Sequence, residues 1–179
     1  TDMRDGEVRS ALHGHLRQRH ASELRETKII DELDLCGQVR VDVAVVNGHM
    51  AGYELKSDRD SLGRLPMQVR VYSQVLDWAT LVVAERHLAH AREMLPDWWG
   101  IFVASISGGE IALRIEREPD RNPSVDPAAL VQLLWRDEAL AELQSRGLAD
   151  GLRRSPRRVL WTKLAENVAL DELRATVRE

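Results

Sequence analysis

The chain has 179 residues, 44% hydrophobic and 30% charged, with a formal net charge of −4 and one cysteine. That length can bury one good core with a small appendage, and the charge argues against a general polycationic coat for nucleic acid. No stretch approaches the roughly eighteen apolar residues of a membrane span, Thr1-Asp2-Met3-Arg4-Asp5 has no signal-type apolar region, and Cys36 alone can form neither an intrachain disulfide nor a zinc knuckle, so a cytoplasmic, membrane-free protein is expected.

Asp5 or a neighbour can start a helix whose apolar positions Val8, Leu12 and Leu16 recur every four residues. Three strands are predicted next, over Thr27–Leu35, Gln38–Val46 and Met50–Ser57. A polar loop leads to Pro66, which suits the opening of a helix running through Trp78. Ala79–Ala84 is apolar throughout and reads as a strand in the sheet centre. A helix over His87–Leu95 follows, ended by Pro96, and then a hairpin of Ile101–Ser107 and Glu110–Glu116 around Gly108-Gly109.

Two of the early strands carry charge where strand cores do not normally hold it. Period-two alternation sends Val41, Val43 and Val45 to one face and Arg40, Asp42 and Ala44 to the other, while Glu54 and Lys56 share a face opposite Tyr53 and Leu55. A two-residue turn would set Asp42 opposite Tyr53. A three-residue loop, Asn47-Gly48-His49, sets Asp42 opposite Glu54 and Arg40 opposite Lys56, and this register is the expected one. Paired carboxylates repel, and a divalent metal is the usual remedy, with Mg²⁺ held by one or two carboxylates and further oxygens such as the Leu55 carbonyl. Lys56 can hold the attacking water or neutralise charge developing on phosphorus. The set points to metal-assisted hydrolysis of a phosphodiester.

Asp42, followed after eleven residues by Glu54-Leu55-Lys56, resembles the core motif of the PD-(D/E)XK nuclease superfamily in the form without proline before the aspartate. Gln68-Val69-Arg70-Val71-Tyr72 is similar to the Gln-x-x-x-Tyr element of its RecB-like branch, with both ends on one helical face. Glu7 sits where the Holliday-junction-resolvase branch places a further acid, and Glu32 competes for that role. The run from Met3-Arg4-Asp5 to Trp98-Trp99-Gly100 resembles small stand-alone bacterial and phage proteins of the superfamily. The resemblance covers roughly the first two thirds of the chain. It implies an α/β, restriction-endonuclease-like αβββαβ core with a mixed central sheet. It also implies a DNA-cleaving endonuclease using Mg²⁺, or Mn²⁺, with Asp42, Glu54 and Lys56 catalytic, Asp42, Glu54, the Leu55 carbonyl and Glu7 at the metal, and Gln68 and Tyr72 in support. RNA as substrate and a homodimer remain open, and the alternative is a catalytically silent nucleic-acid-binding or adaptor module of the same fold.

Composition shifts at the proline-rich stretch from Pro119 to Pro127, which divides the chain into a core (1–118), a linker (119–127) and a helical appendage (128–179) expected to dock on that core. Helices are predicted over Ala128–Arg146, Arg157–Glu166 and Leu170–Val177. Between Gly151 and Ala165 there is no acid, but Arg153, Arg154, Arg157, Arg158 and Lys163 are present, making this the candidate phosphate-contacting run. His13, His15, His87 and His90 lack the partners of a zinc set, and Trp98-Trp99 reads as a cap on the core.

Overall fold

The computed structural model describes residues 2–178, and in it a helix, α1 (Asp5–Arg19), is followed by the strands β1 (Lys28–Leu35), β2 (Val39–Val46) and β3 (Met50–Lys56). Then come α2 (Leu65–Val75), β4 (Trp78–Ala84), α3 (Leu88–Met94), β5 (Gly100–Ser107) and β6 (Glu110–Arg117). The strands form one six-stranded mixed sheet in chain order. β3, β4 and β5 run parallel, because α2 and α3 return the chain to the same end, while β1–β2, β2–β3 and β5–β6 are antiparallel. The chain is therefore α/β.

Each face of the sheet is covered by an apolar stripe. The four-residue spacing of Val8, Leu12 and Leu16 puts all three on the buried side of α1, against Val43, Val45, Tyr53, Leu55 and Phe102. On the other face α2 buries Leu65, Val71, Tyr72 and Val75. Trp99 is fully buried there and stacks on Tyr72 at 5.4 Å, so it does cap the core.

The C-terminal helices α4 (Pro127–Leu130), α5 (Arg136–Ser145), α6 (Arg157–Asn167) and α7 (Leu170–Val177) share that second core through Leu130, Leu143, Leu160, Leu164 and Leu173. The stretch from 119 to 127 that joins them to the sheet is tied down: buried Asn122 donates from Nδ2 to the carbonyls of Ser73 and Leu76, and the Asp126 N–H bonds the Gln74 carbonyl.

Two predicted helices end differently. α2 stops at Val75 instead of continuing through Trp78, because Leu76 is extended and the buried Asp77 bonds back to the sheet. Its backbone N–H meets the Met50 carbonyl and its carboxylate accepts the Met50 N–H at 2.8 Å, which lays Trp78 alongside Ala51 as the start of β4. The predicted Ala128–Arg146 helix is broken at Leu134, which is extended. Two separate starts compete within it: Asp126 caps the Ala128 N–H at 2.9 Å, and Glu138 accepts the Trp135 N–H at 2.7 Å. Gln38 lies just outside β2, and β3 ends at Lys56.

Candidate active site

The loop between β2 and β3 is Asn47-Gly48-His49, with Val46 paired to Met50 and Val43 to Tyr53, so the register is the one expected of a three-residue turn. Gly48 takes the positive φ (80°) that this turn demands. The ladder ends at Val43–Tyr53. One residue further on, the Leu55 N–H that a continued ladder would have engaged is accepted by the Asp42 carboxylate instead, Oδ2 at 2.7 Å. Arg40 and Lys56, expected opposite each other, are consequently not a ladder pair.

Strict alternation also fails here. Val43 and Val45 pack under α1, but Val41 lies on the other face with Ala44, close over Gly52. The switch falls at Asp42, and in β1 the residue between the in-register pairs Asp31–Val43 and Leu33–Val41 is Glu32, whose φ is +56°. A left-handed glutamate is costly, and such outliers concentrate at functional positions.

On β3, Glu54 and Lys56 are buried (2% and 4% exposed) and point toward α2. Both carboxylate oxygens of Glu54 are engaged: Oε1 accepts from Lys56 Nζ at 2.6 Å and from Gln68 Nε2 at 2.5 Å, and Oε2 accepts from the Tyr72 hydroxyl at 2.5 Å. The four-residue spacing of Gln68 and Tyr72 thus aims both at one carboxylate. Burial, then the Glu54 charge, holds the Tyr72 phenol far above its ordinary range, so it is a permanent donor. Replacing Tyr72 with phenylalanine should cost about 1.5–3 kcal/mol in urea unfolding, since it removes a hydrogen bond to a buried charge. A loss below about 0.5 kcal/mol would show that Lys56 and Gln68 suffice.

Asp42, Glu54, Lys56, Gln68 and the backbone of Leu55 line one cleft of about 660 Å³, together with Asp5, Arg9, Glu32 and Arg40. Leu55 must line it through its backbone, because its side chain is buried under α1 on the other face; in a strand its carbonyl points the same way as the N–H bonded to Asp42. Burial and, next, the Glu54 carboxylate raise the Asp42 pKa from 3.8 to about 7, against the lowering effect of the Leu55 N–H, Lys56 and Arg9.

Arg9 was not singled out in the sequence. From α1 its guanidinium donates to the Asp42 carbonyl at 2.5 Å and to Glu32 Oε1 at 2.9 Å, and it lies 3.6 Å from the Asp42 carboxylate. Its position one helical turn after Asp5 was the available signal, since that spacing directs it along α1 with the acid. Glu7 is not in the cleft: its carboxylate folds back to the Arg4 N–H at 2.8 Å and caps its own helix. Of the competing acids, Glu32 reaches the cleft. Of the basic run, Arg157 lines a groove beside β1, Arg158 and Lys163 line a separate hollow along α6, and Arg153 and Arg154 precede the helix.

Among the described residues no three His, Cys, Asp or Glu side chains converge as a metal-binding group. The oxygens present still suit a hard cation that keeps several waters: the Asp42 carboxylate, whose charge the neighbouring Glu54 disfavours, the Glu54 carboxylate, a backbone carbonyl, and the buried Gln68 Oε1, which has no hydrogen-bond partner.

The Bacteriophage P4 protein cII family matches residues 1–179. The chain belongs to that family. It is also 24% identical over 168 residues to protein cII of Enterobacteria phage P4, an alignment covering 92% of this chain and 63% of that relative. No solved structure matches. No helix among the described residues is long and apolar enough to cross a membrane.

Proposed function

We propose that this cII-family chain is a metal-dependent nuclease of the PD-(D/E)XK type, built on a restriction-endonuclease-like core and hydrolysing phosphodiester bonds in DNA. The observation that carries the reading is the meeting of Asp42, Glu54, Lys56 and the Leu55 backbone in one cleft, at the point where the β2–β3 ladder ends. Nothing in sheet stability calls for two carboxylates and a lysine there, since burying charge costs several kcal/mol before pairing returns any of it.

Mg²⁺ or Mn²⁺ held by Asp42, Glu54 and the Leu55 carbonyl would supply Lewis-acid polarisation of the phosphoryl oxygens. Gln68 and Tyr72 fix the Glu54 carboxylate so that its orientation does not have to be acquired during reaction. Lys56, held 2.6 Å from Glu54, brings a positive charge to the wall of the cleft, where it orients the attacking water and offsets charge growing on the phosphoryl group. Arg9 and Arg40 supply cations at the cleft for the phosphates on either side.

A catalytically silent nucleic-acid-binding module is favoured by one observation, that both Glu54 oxygens are already satisfied by protein donors. The two readings separate on a panel of labelled duplex, single-stranded, flap and four-way-junction DNAs, with RNA counterparts, incubated with Mg²⁺, Mn²⁺ or a chelator. The nuclease reading expects metal-dependent products that Lys56→Met reduces by orders of magnitude while binding changes little. If the wild type cuts nothing with any metal and the chelator has no effect on binding, the silent module is the right reading.

A further inference from the structure

Beside the cleft runs a second groove of about 670 Å³, between β1 and the C-terminal helices. The two share Glu32, Asp34 and Arg40, so they adjoin along those side chains. The floor of the second groove is apolar, built from Ile30, Leu33, Val46, Met50 and Leu134. Its wall carries Trp135, which is 74% exposed, in a chain that buries Trp99 completely.

The Trp135 ring stands on a fixed base. The backbone N–H of Trp135 donates to the Glu138 carboxylate, and the preceding carbonyl, of Leu134, accepts the Trp161 indole N–H at 3.0 Å. On the same helical wall the Arg157 guanidinium lies 5.0 Å from the centroid of the Trp161 ring. Arg157 and Arg40 are both exposed and neither has a carboxylate partner among the described residues. The acids of the groove are partly spent: Glu32 pairs with Arg9 at 2.9 Å, and Asp34 accepts the Gly37 N–H at 2.9 Å.

We infer that this groove binds an unpaired stretch of nucleic-acid strand next to the scissile phosphodiester. Bases stack on Trp135 and on the Arg157–Trp161 pair, and the backbone follows Arg157 and Arg40 into the cleft. The inference rests on the nuclease reading for what lies in the adjoining cleft. A duplex could not use these groups in this way, because its base faces are covered by their neighbours and only its edges and phosphates are accessible. An unpaired strand offers the faces that aromatic rings and guanidinium planes take up, whatever its sequence. A purely apolar partner would leave Arg40 and Arg157 unpaired at its margin.

The test is fluorescence anisotropy with labelled single-stranded DNA, single-stranded RNA, blunt duplex DNA and the same duplex with a single-stranded tail. It is run in chelator so that nothing is cut, and the DNA and RNA arms decide which sugar the strand carries. Trp135→Ala should weaken single-strand and tailed-duplex binding roughly 10- to 100-fold and leave blunt-duplex binding unchanged, while Trp135→Phe restores most of the loss. Arg157→Gln should weaken the same ligands and lower the salt dependence of binding. Single-strand affinity within twofold of wild type in both Trp135→Ala and Arg157→Gln, or a blunt duplex bound as tightly as a single strand, overturns the inference. Metal-dependent cleavage by a wild type whose strand binding ignores Trp135 sinks the groove and spares the nuclease. Trp135-dependent strand binding by a wild type that cuts nothing does the reverse.

Discussion

Asparagine in place of Asp42 should abolish metal-dependent cleavage and at the same time make the metal-free protein more stable at pH 8. The first effect follows from losing one of the two carboxylates proposed to hold the metal. The second follows from the raised Asp42 pKa, about 7 against 3.8. A carboxyl whose folded pKa is raised holds its proton longer in the native state than in the unfolded chain. Its contribution is therefore most favourable below pH 4, and stability falls as pH rises through the window from about 4 to 7. Three pKa units correspond to about 4 kcal/mol at most. Asparagine cannot ionise and can still accept the Leu55 N–H, so the variant escapes this penalty. Thermal melts from pH 4 to pH 8 should show the gap between variant and wild type opening as pH rises. Added Mg²⁺ should close it by raising only the wild-type Tm, since a ligand stabilises the state that binds it. Persistent cleavage by the variant, or melting curves that run parallel across the pH range, would remove Asp42 from the site.

The largest effect on stability is expected at Asp77, outside the residues lining the cleft. Its side chain is 1% exposed, accepts the Met50 N–H, and is ion-paired with Arg178 and, at 3.3 Å, with Arg174. Those two arginines are only 8% and 10% exposed. Burial pushes the Arg178 guanidinium below its usual pKa, against the pull of Asp77. Alanine at 77 leaves Arg178 with only the Gly48 carbonyl, Arg174 with only Asp171 at 2.8 Å, and the Met50 N–H without its acceptor, which costs about 3–5 kcal/mol, a large share of the roughly 5–15 kcal/mol that holds a domain folded. Urea denaturation measures it directly. Because Arg174 lies on α7 and Arg178 caps it, Asp77→Ala should also expose α7 to proteolysis before the rest unfolds. A loss under about 1 kcal/mol would mean that the α7 contacts through Leu173 hold the helix without the carboxylate.

Much of this arrangement is written locally. Val8, Leu12 and Leu16 name the buried side of α1 because a helix repeats every 3.6 residues. Asn47-Gly48-His49 fixes the β2–β3 register because the turn needs a positive φ at Gly48. The spacing from Gln68 to Tyr72 puts an amide and a phenol on one helical face. Local signals also existed for the broken helix, with acids at Asp126 and Glu138 three residues or less from their caps, but a leucine stripe masked them.

Other features depend on what the folded chain brings alongside. Asp42 turns into the plane of the sheet because the β2–β3 ladder stops one residue short and leaves the Leu55 N–H free to be accepted. Period-two patterning cannot register that interruption, and so it placed Val41 on the wrong face. α2 ends early because Asp77 finds Met50 and two arginines about a hundred residues away in sequence. Arg9 enters the acid cluster, and Glu7 does not, because α1 lies across the sheet at an angle that only the packing of its leucines sets. The sequence by itself determined which charged residues would sit on neighbouring strands and which helix would face them. The tertiary structure decided which backbone donor and which arginine meet them, because those contacts join segments whose separation is fixed by the whole core and not by any local period.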